Sequence, residues 1–187
     1  MKKFLIVILS LLALACGTAS PLDDAWAKFE SQDYIGAHQA FSDLALSGQA
    51  AVYVGLGWTV LRMDSLSEAQ GYFATAVTLP DSVDALEDGY AGWSFAAWAQ
   101  QNDTACIAYA QHVLDEDNGY VFPHDRTVTY QDLLLHQAYS YFRVGNYANC
   151  IDRIQGLDNT FLAPSLGDPD IHQILLIKLE ALAGAVF

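Results

Sequence analysis

Apolar residues recur along the chain at the spacing of amphipathic helices, and no stretch alternates polar and apolar positions for long enough to indicate a strand. Side chains three or four positions apart share one face of a helix, whereas an offset of two is typical of a strand. Glycine and proline interrupt the pattern mainly at short junctions, near residues 48, 80, 119–123, 145 and 164–169. The chain is therefore predicted to be all-α.

Four segments carry one common spacing of small and apolar residues. They are DYIGAHQAFSDL (33–44), SLSEAQGYFATA (65–76), NDTACIAYAQHV (102–113) and GNYANCIDRIQGL (145–157). Relative to the anchors Ala37, Ala69, Cys106 and Cys150, apolar residues follow at four and seven positions, and a small residue precedes by twelve. Small residues allow two helices to cross closely. The recurrence predicts repeated helix pairs rather than one ordinary amphipathic helix.

This arrangement resembles the tetratricopeptide repeat, in which a helix with a small residue near its middle precedes a turn and a second helix. The second unit matches best, through Tyr53, Leu56, Gly57, Ala69, Phe73, Ala76 and Pro80. The resemblance implies a right-handed α-solenoid with units at about 22–47, 50–80, 84–115 and 128–157 and a capping helix at 168–187. Anchor spacings of 32, 37 and 44 residues differ from the family period of about 34, which predicts additional turns or loops between units.

The first helix of each tetratricopeptide unit lines a concave groove, and the resemblance therefore implies a binding surface on those helices. The candidate groove residues are Trp58, Leu61, Arg62, Phe95, Trp98, His136, Tyr139, Phe142 and Arg143. This surface suits an extended or helical peptide, with Arg62 and Arg143 binding a carboxylate. A second interpretation stays open, because aromatic residues at helical spacing also fill the core between neighbouring units.

The N-terminus follows another pattern, in which Lys2 and Lys3 precede an apolar run that ends in LALAC. It resembles the signal of bacterial lipoproteins, where small residues precede a cysteine that becomes lipidated. The resemblance implies a signal peptide at 1–15, lipidation of Cys16, a tether at 16–21 and one domain at 22–187. It also implies export and anchoring to the cell envelope, at the periplasmic face of the outer membrane in a Gram-negative cell. Plain secretion after A-x-A at 13–15 is the alternative.

The chain is strongly acidic, with 22 Asp and Glu against 8 Lys and Arg and a formal charge of −14. Removal of the signal peptide would make this charge more negative, because that segment holds two lysines and no acid. Nucleic acid is excluded as a ligand, since phosphate contacts need clustered Lys and Arg. The acidic charge is consistent with solubility, with a salty habitat or with a basic partner.

The chain shows no combination of residues that indicates an enzyme, a metal site or a cofactor. The linker at 115–128 lacks the ligand order of a calcium loop, and His124 and Asp125 have no accompanying nucleophile motif. Cys106 and Cys150 occupy equivalent places in successive units, about a helix diameter apart, beyond the reach of a disulfide. They are predicted to be buried free thiols.

These observations together favour a scaffold that binds a protein or peptide in the cell envelope and touches the membrane only through its lipid. The alternative is a module that binds a glycan or a small ligand, with the groove aromatics as stacking platforms.

Overall fold

The structure is a computed structural model that describes residues 20–80 and 83–186, with side chains to residue 184. The predicted signal peptide and the predicted lipidation site at Cys16 lie outside these residues.

The described residues form nine α-helices and no β-strand, which confirms the all-α prediction. The helices are α1 Pro21–Glu30, α2 Tyr34–Leu44, α3 Ala50–Arg62, α4 Leu66–Ala76, α5 Val83–Ala99, α6 Asp103–Glu116, α7 Tyr130–Arg143, α8 Tyr147–Leu157 and α9 Ile171–Val186. A short 3-10 helix, Ala45–Ser47, follows α2.

The turns within the first four helix pairs share one backbone geometry. Each contains a residue with left-handed φ, namely Gln32 (64°), Asp64 (62°), Gln101 (58°) and Gly145 (75°). The next residue donates its N–H to a carbonyl five positions earlier at 2.9 Å, in the pairs Asp33–Lys28, Ser65–Val60, Asn102–Ala97 and Asn146–Tyr141. This is the Schellman ending, which satisfies carbonyl groups at a helix C-terminus. Because each turn precedes its anchor by the same number of residues, the local structure repeats with the sequence.

Consecutive helices pack against each other along the chain, and each odd-numbered helix also contacts the next odd-numbered helix. This packing is compatible with a helical repeat. Close helix contact depends on glycine, because the buried ring of Phe73 lies between Gly57 on α3 and Gly92 on α5. A Cβ atom at either position would lie closer than 3.0 Å to that ring. The last helix, α9, packs against α7 and α8.

The connection between α6 and α7 differs from an ordinary surface linker. Residues 117–129, named here the inserted loop, contain Tyr120, Phe122 and Val128, which are all buried. The loop closes on itself, since the Phe122 N–H donates to the Val128 carbonyl at 2.9 Å and Val121 pairs with Thr129. The additional length in the longest anchor spacing therefore contributes to the hydrophobic core.

Cys106 and Cys150 are both buried and both free, which confirms the prediction of two buried thiols. Burial raises the pKa of Cys106 to about 11 and that of Cys150 to about 12. Both side chains are therefore protonated at neutral pH, and they pack as small apolar groups.

Candidate functional site

The odd-numbered helices bring four candidate groove residues into one aromatic cluster. The ring of Trp58 on α3 lies 5.6 Å from that of Phe95 on α5. His136 on α7 then contacts the Phe95 ring edge to face at 4.5 Å and stacks on Trp98 at 4.2 Å. Offset-stacked and edge-to-face contacts of this kind are the favoured arrangements of aromatic rings. The cluster therefore connects three neighbouring odd-numbered helices.

The inserted loop covers the part of this face that belongs to α1 and α3. Phe122 stacks on Trp58 with ring centroids 4.4 Å apart, and His124 stacks on Trp26 at 3.6 Å. Polar contacts lie beside these rings, since His124 Nδ1 is 2.8 Å from Glu30 Oε1. His124 thus takes part in packing between the loop and α1.

Trp58 and His136 both belong to the interior of the protein. Trp58 is 0% exposed, and its indole N–H donates to the main-chain carbonyl oxygen of Asp88 at 3.0 Å. His136 is 2% exposed, and burial, followed by the charge of Arg143, lowers its pKa to about 3. The imidazole is therefore neutral at physiological pH. Leu61 is partly buried against the same core. Trp58 and His136 therefore fill the core, as the second interpretation of the sequence expects.

The remaining aromatic candidates lie partly exposed on α5 and α7. Phe95, Trp98, Tyr139 and Phe142 each keep part of their surface open, and we name this set the open aromatic surface. Helix α9 borders it, because His172 lies 4.6 Å from the Phe142 ring. The open aromatic surface is the part of the predicted groove that the inserted loop leaves accessible.

Two buried nitrogen atoms beside this surface have no hydrogen-bond partner among the described residues. They are Trp98 Nε1 and His136 Nδ1. Buried polar groups are almost always satisfied, and an unpaired one weakens folding. A ligand or a water molecule that reached Trp98 Nε1 would satisfy an indole donor.

Both arginines of the predicted groove are paired with carboxylates of their own chain. Arg62 Nη2 lies 2.5 Å from Asp125 Oδ2 in the inserted loop, and the Arg143 Nε–H donates to Asp103 Oδ1 at 2.8 Å. About a third of each guanidinium side chain is exposed, so each pair contributes about 0–1 kcal/mol to folding. A ligand carboxylate would have to compete with these acids, and the structure thus gives both arginines a structural partner.

A buried carboxyl group that no sequence pattern indicated lies beneath the inserted loop. Asp88 on α5 is 9% exposed and accepts a hydrogen bond from the Tyr120 hydroxyl at 2.8 Å. It lines a cavity of about 200 Å³ together with Asp84, Glu87 and Asp117. Burial, partly offset by the Tyr120 hydrogen bond, raises the pKa of Asp88 to about 7. Its carboxyl group therefore titrates near neutral pH.

Stability is expected to fall by about 2–3 kcal/mol between pH 5 and pH 8 because of Asp88. The folded protein holds this proton more tightly than the unfolded chain, so the stabilisation is complete below about pH 4 and is lost as the pH rises through about 7. Urea unfolding of wild type and Asp88→Asn at both pH values measures the effect. Asp152→Asn, a change at an exposed aspartate on α8 that does not line this cavity, is the control. An unchanged pH dependence in Asp88→Asn would contradict the assignment.

No protein-family model matches the chain, and a search of curated proteins gives no significant match. In the described part of the chain, no group of three or more His, Cys, Asp or Glu side chains is placed to hold a metal ion. Among those same residues, no helix is both long and apolar enough to cross a bilayer.

Proposed function

We propose that this chain is a lipid-anchored, extracytoplasmic scaffold that binds a protein or peptide of the bacterial cell envelope through its open aromatic surface. The observation that carries the proposal is the set of partly exposed aromatic side chains on α5 and α7. The inserted loop covers the neighbouring half of the same face. Aromatic side chains supply large apolar contact area at binding surfaces.

The proposed architecture is a right-handed solenoid similar to that of tetratricopeptide proteins. The four equivalent turns and the contacts between successive odd-numbered helices support it. In such a stack the odd-numbered helices line one face, and α9 closes the end beside α7. The inserted loop limits the ligand to the second half of that face, because Phe122 and His124 occupy the first half.

A partner segment with apolar and basic residues fits the chemistry of this surface. Its rings offer apolar area, while Glu180 near Tyr139 places a carboxylate at its edge. The chain as a whole carries a formal charge of −14, which would attract a basic partner over longer distances. We therefore propose an extended or helical segment that buries an apolar side chain on Trp98 and Tyr139.

The double variant Trp98→Ala/Tyr139→Ala tests the open aromatic surface in a crosslinking pull-down from native membranes. We expect crosslinked envelope partners to decrease at least about tenfold, because buried aromatic anchors dominate binding energy. The matched control is Tyr109→Ala, which removes a half-buried ring on α6 that stacks on Trp93 at 4.0 Å. Thermal unfolding followed by circular dichroism shows that each variant is folded.

Unchanged partners in a folded double variant would exclude the open aromatic surface as the binding site. Equal losses in Tyr109→Ala would likewise contradict a specific groove.

Anchoring is tested in the same cells, because fatty-acid labelling and membrane association should both be lost in Cys16→Ser. Retained labelling in Cys16→Ser would refute lipidation at that residue.

The alternative function is binding of a glycan or small ligand. The observation that favours it is the broad indole of Trp98, which is partly exposed and is supported from beneath by His136. Aromatic faces of this kind can stack on sugar rings. A glycan array would then show binding that Trp98→Ala abolishes, while the pull-down would recover no protein partner.

A further inference from the structure

A separate cavity lies between α6, the start of α7 and α8, where the anchor spacing is longest. Its volume is about 630 Å³. Its lining includes polar, aromatic and aliphatic side chains, among them Gln111, Asp115, Asn118, Tyr130, Leu134 and Arg153. None of these belongs to the open aromatic surface, so the cavity is a second, distinct feature.

Arg153 is the unusual residue of this cavity. Its Nη2 donates to the neutral Gln111 Oε1 at 2.8 Å, while its Nε is buried and has no partner among the described residues. No carboxylate of the described chain forms an ion pair with Arg153, although Arg62, Arg143 and Lys178 each have one. In a chain with 22 acidic residues, a half-buried arginine without an acid indicates a place for an external anion.

The neighbouring amides are held in place by their own hydrogen bonds. Gln111 donates from Nε2 to Asp115 Oδ1 at 2.6 Å, and its Oε1 accepts from Gln137 as well as from Arg153. Gln137 is 0% exposed and also donates to the Ile107 carbonyl at 2.9 Å. This network orients the guanidinium at the wall of the cavity before any ligand arrives, which lowers the cost of binding.

We propose that this cavity binds a small hydroxylated monocarboxylate, of which an acidic sugar is the simplest example. Arg153 would bind the carboxylate end-on through one N–H of each Nη nitrogen, because its Nε is buried. Asp115 would accept hydrogen bonds from hydroxyl groups of the ligand, and the Asn118 amide would donate to them. Tyr130 and Leu134 would contact the apolar face of the ring. Asp115 repels inorganic phosphate more strongly than a monocarboxylate, because phosphate carries more negative charge at neutral pH, so the site disfavours phosphate.

The test uses the full chain in detergent and D-glucuronate as the probe, with binding followed by ligand-detected nuclear magnetic resonance. D-glucose, which has no carboxylate, and inorganic phosphate are the comparison probes. We expect saturable binding of D-glucuronate that is at least about tenfold tighter than that of either comparison. Asp115→Asn should reduce the difference between D-glucuronate and phosphate.

Arg153→Gln should weaken D-glucuronate binding at least about tenfold, and Arg153→Lys, which keeps the charge but loses the planar fork, should weaken it less. Arg126→Gln removes one exposed arginine outside the cavity and should leave binding unchanged. If Arg153→Gln does not fold, Arg153→Lys is the test, and D-glucuronate binding as tight as that of the wild type would overturn the proposal. The proposal is overturned if D-glucuronate does not bind saturably, if phosphate binds as tightly, or if Arg126→Gln has the same effect as Arg153→Gln.

Discussion

Replacing Phe122 by alanine is expected to lower the free energy of unfolding by about 3–5 kcal/mol. The ring is 0% exposed, stacks on Trp58 at 4.4 Å and meets the edges of Trp26 and Phe29 at 6.0 and 6.2 Å. Truncation removes its buried apolar area and leaves a cavity among aromatic rings that are held by two separate helices, α1 and α3. Because helices cannot collapse freely around that cavity, little of the loss is recovered.

Equilibrium unfolding in urea measures this loss, with Val121→Ala as the matched control. Val121 neighbours Phe122 in the inserted loop but is 39% exposed, so its truncation should change the free energy of unfolding by less than about 1 kcal/mol. A loss below about 1 kcal/mol for Phe122→Ala would mean that the inserted loop is not part of the cooperative core. In that case the first half of the odd-helix face would be open to ligands.

Adding one methyl group at Gly92 is expected to lower the free energy of unfolding by about 2–3 kcal/mol. A Cβ atom there would lie closer than 3.0 Å to three atoms of the buried Phe73 ring. That ring cannot move away toward α3, because Gly57 already approaches it from the other side. The overlap must be relieved by shifting α5, which the dense interior resists.

Gly71→Ala provides the opposite expectation on a neighbouring helix. Gly71 lies on the exposed face of α4, and a Cβ atom there would meet nothing within 4 Å. Alanine should therefore stabilise the protein by about 0.5–1 kcal/mol through helix propensity alone. Urea unfolding of both variants separates the two effects. If Gly92→Ala were as stable as Gly71→Ala, the close contact between α3 and α5 would be refuted.

The helix content could be predicted because local spacing carries it. After each of the anchors Ala37, Ala69, Cys106 and Cys150, apolar residues follow at four and seven positions, offsets that a helix places on one face, and all four anchors are buried. The conformation of the turns was harder to predict from the sequence, since the residue with left-handed φ is Gly in one unit and Gln or Asp in the others. Tertiary packing therefore holds non-glycine residues in a conformation that their own preference disfavours.

The candidate site could be predicted only in part. Spacing placed Phe95, Trp98, Tyr139 and Phe142 on the odd-numbered helices, but exposure depends on what lies above them. The inserted loop reads as an irregular linker, and its aromatic Phe122 was the available signal that it packs inside. The partners of Arg62 and Arg143 are 63 and 40 residues away in the chain, so no local pattern could identify them.

The sequence by itself determined the helical class and the repeated pairing of helices, because both follow from side chains within a few residues of each other. The tertiary structure alone decided that Trp58 is covered by Phe122, that Asp88 is buried beneath Tyr120 and that Arg153 pairs with no acid among the residues that the structure describes. These features depend on contacts between distant segments, and burial and charge pairing are properties of such contacts rather than of the local chain.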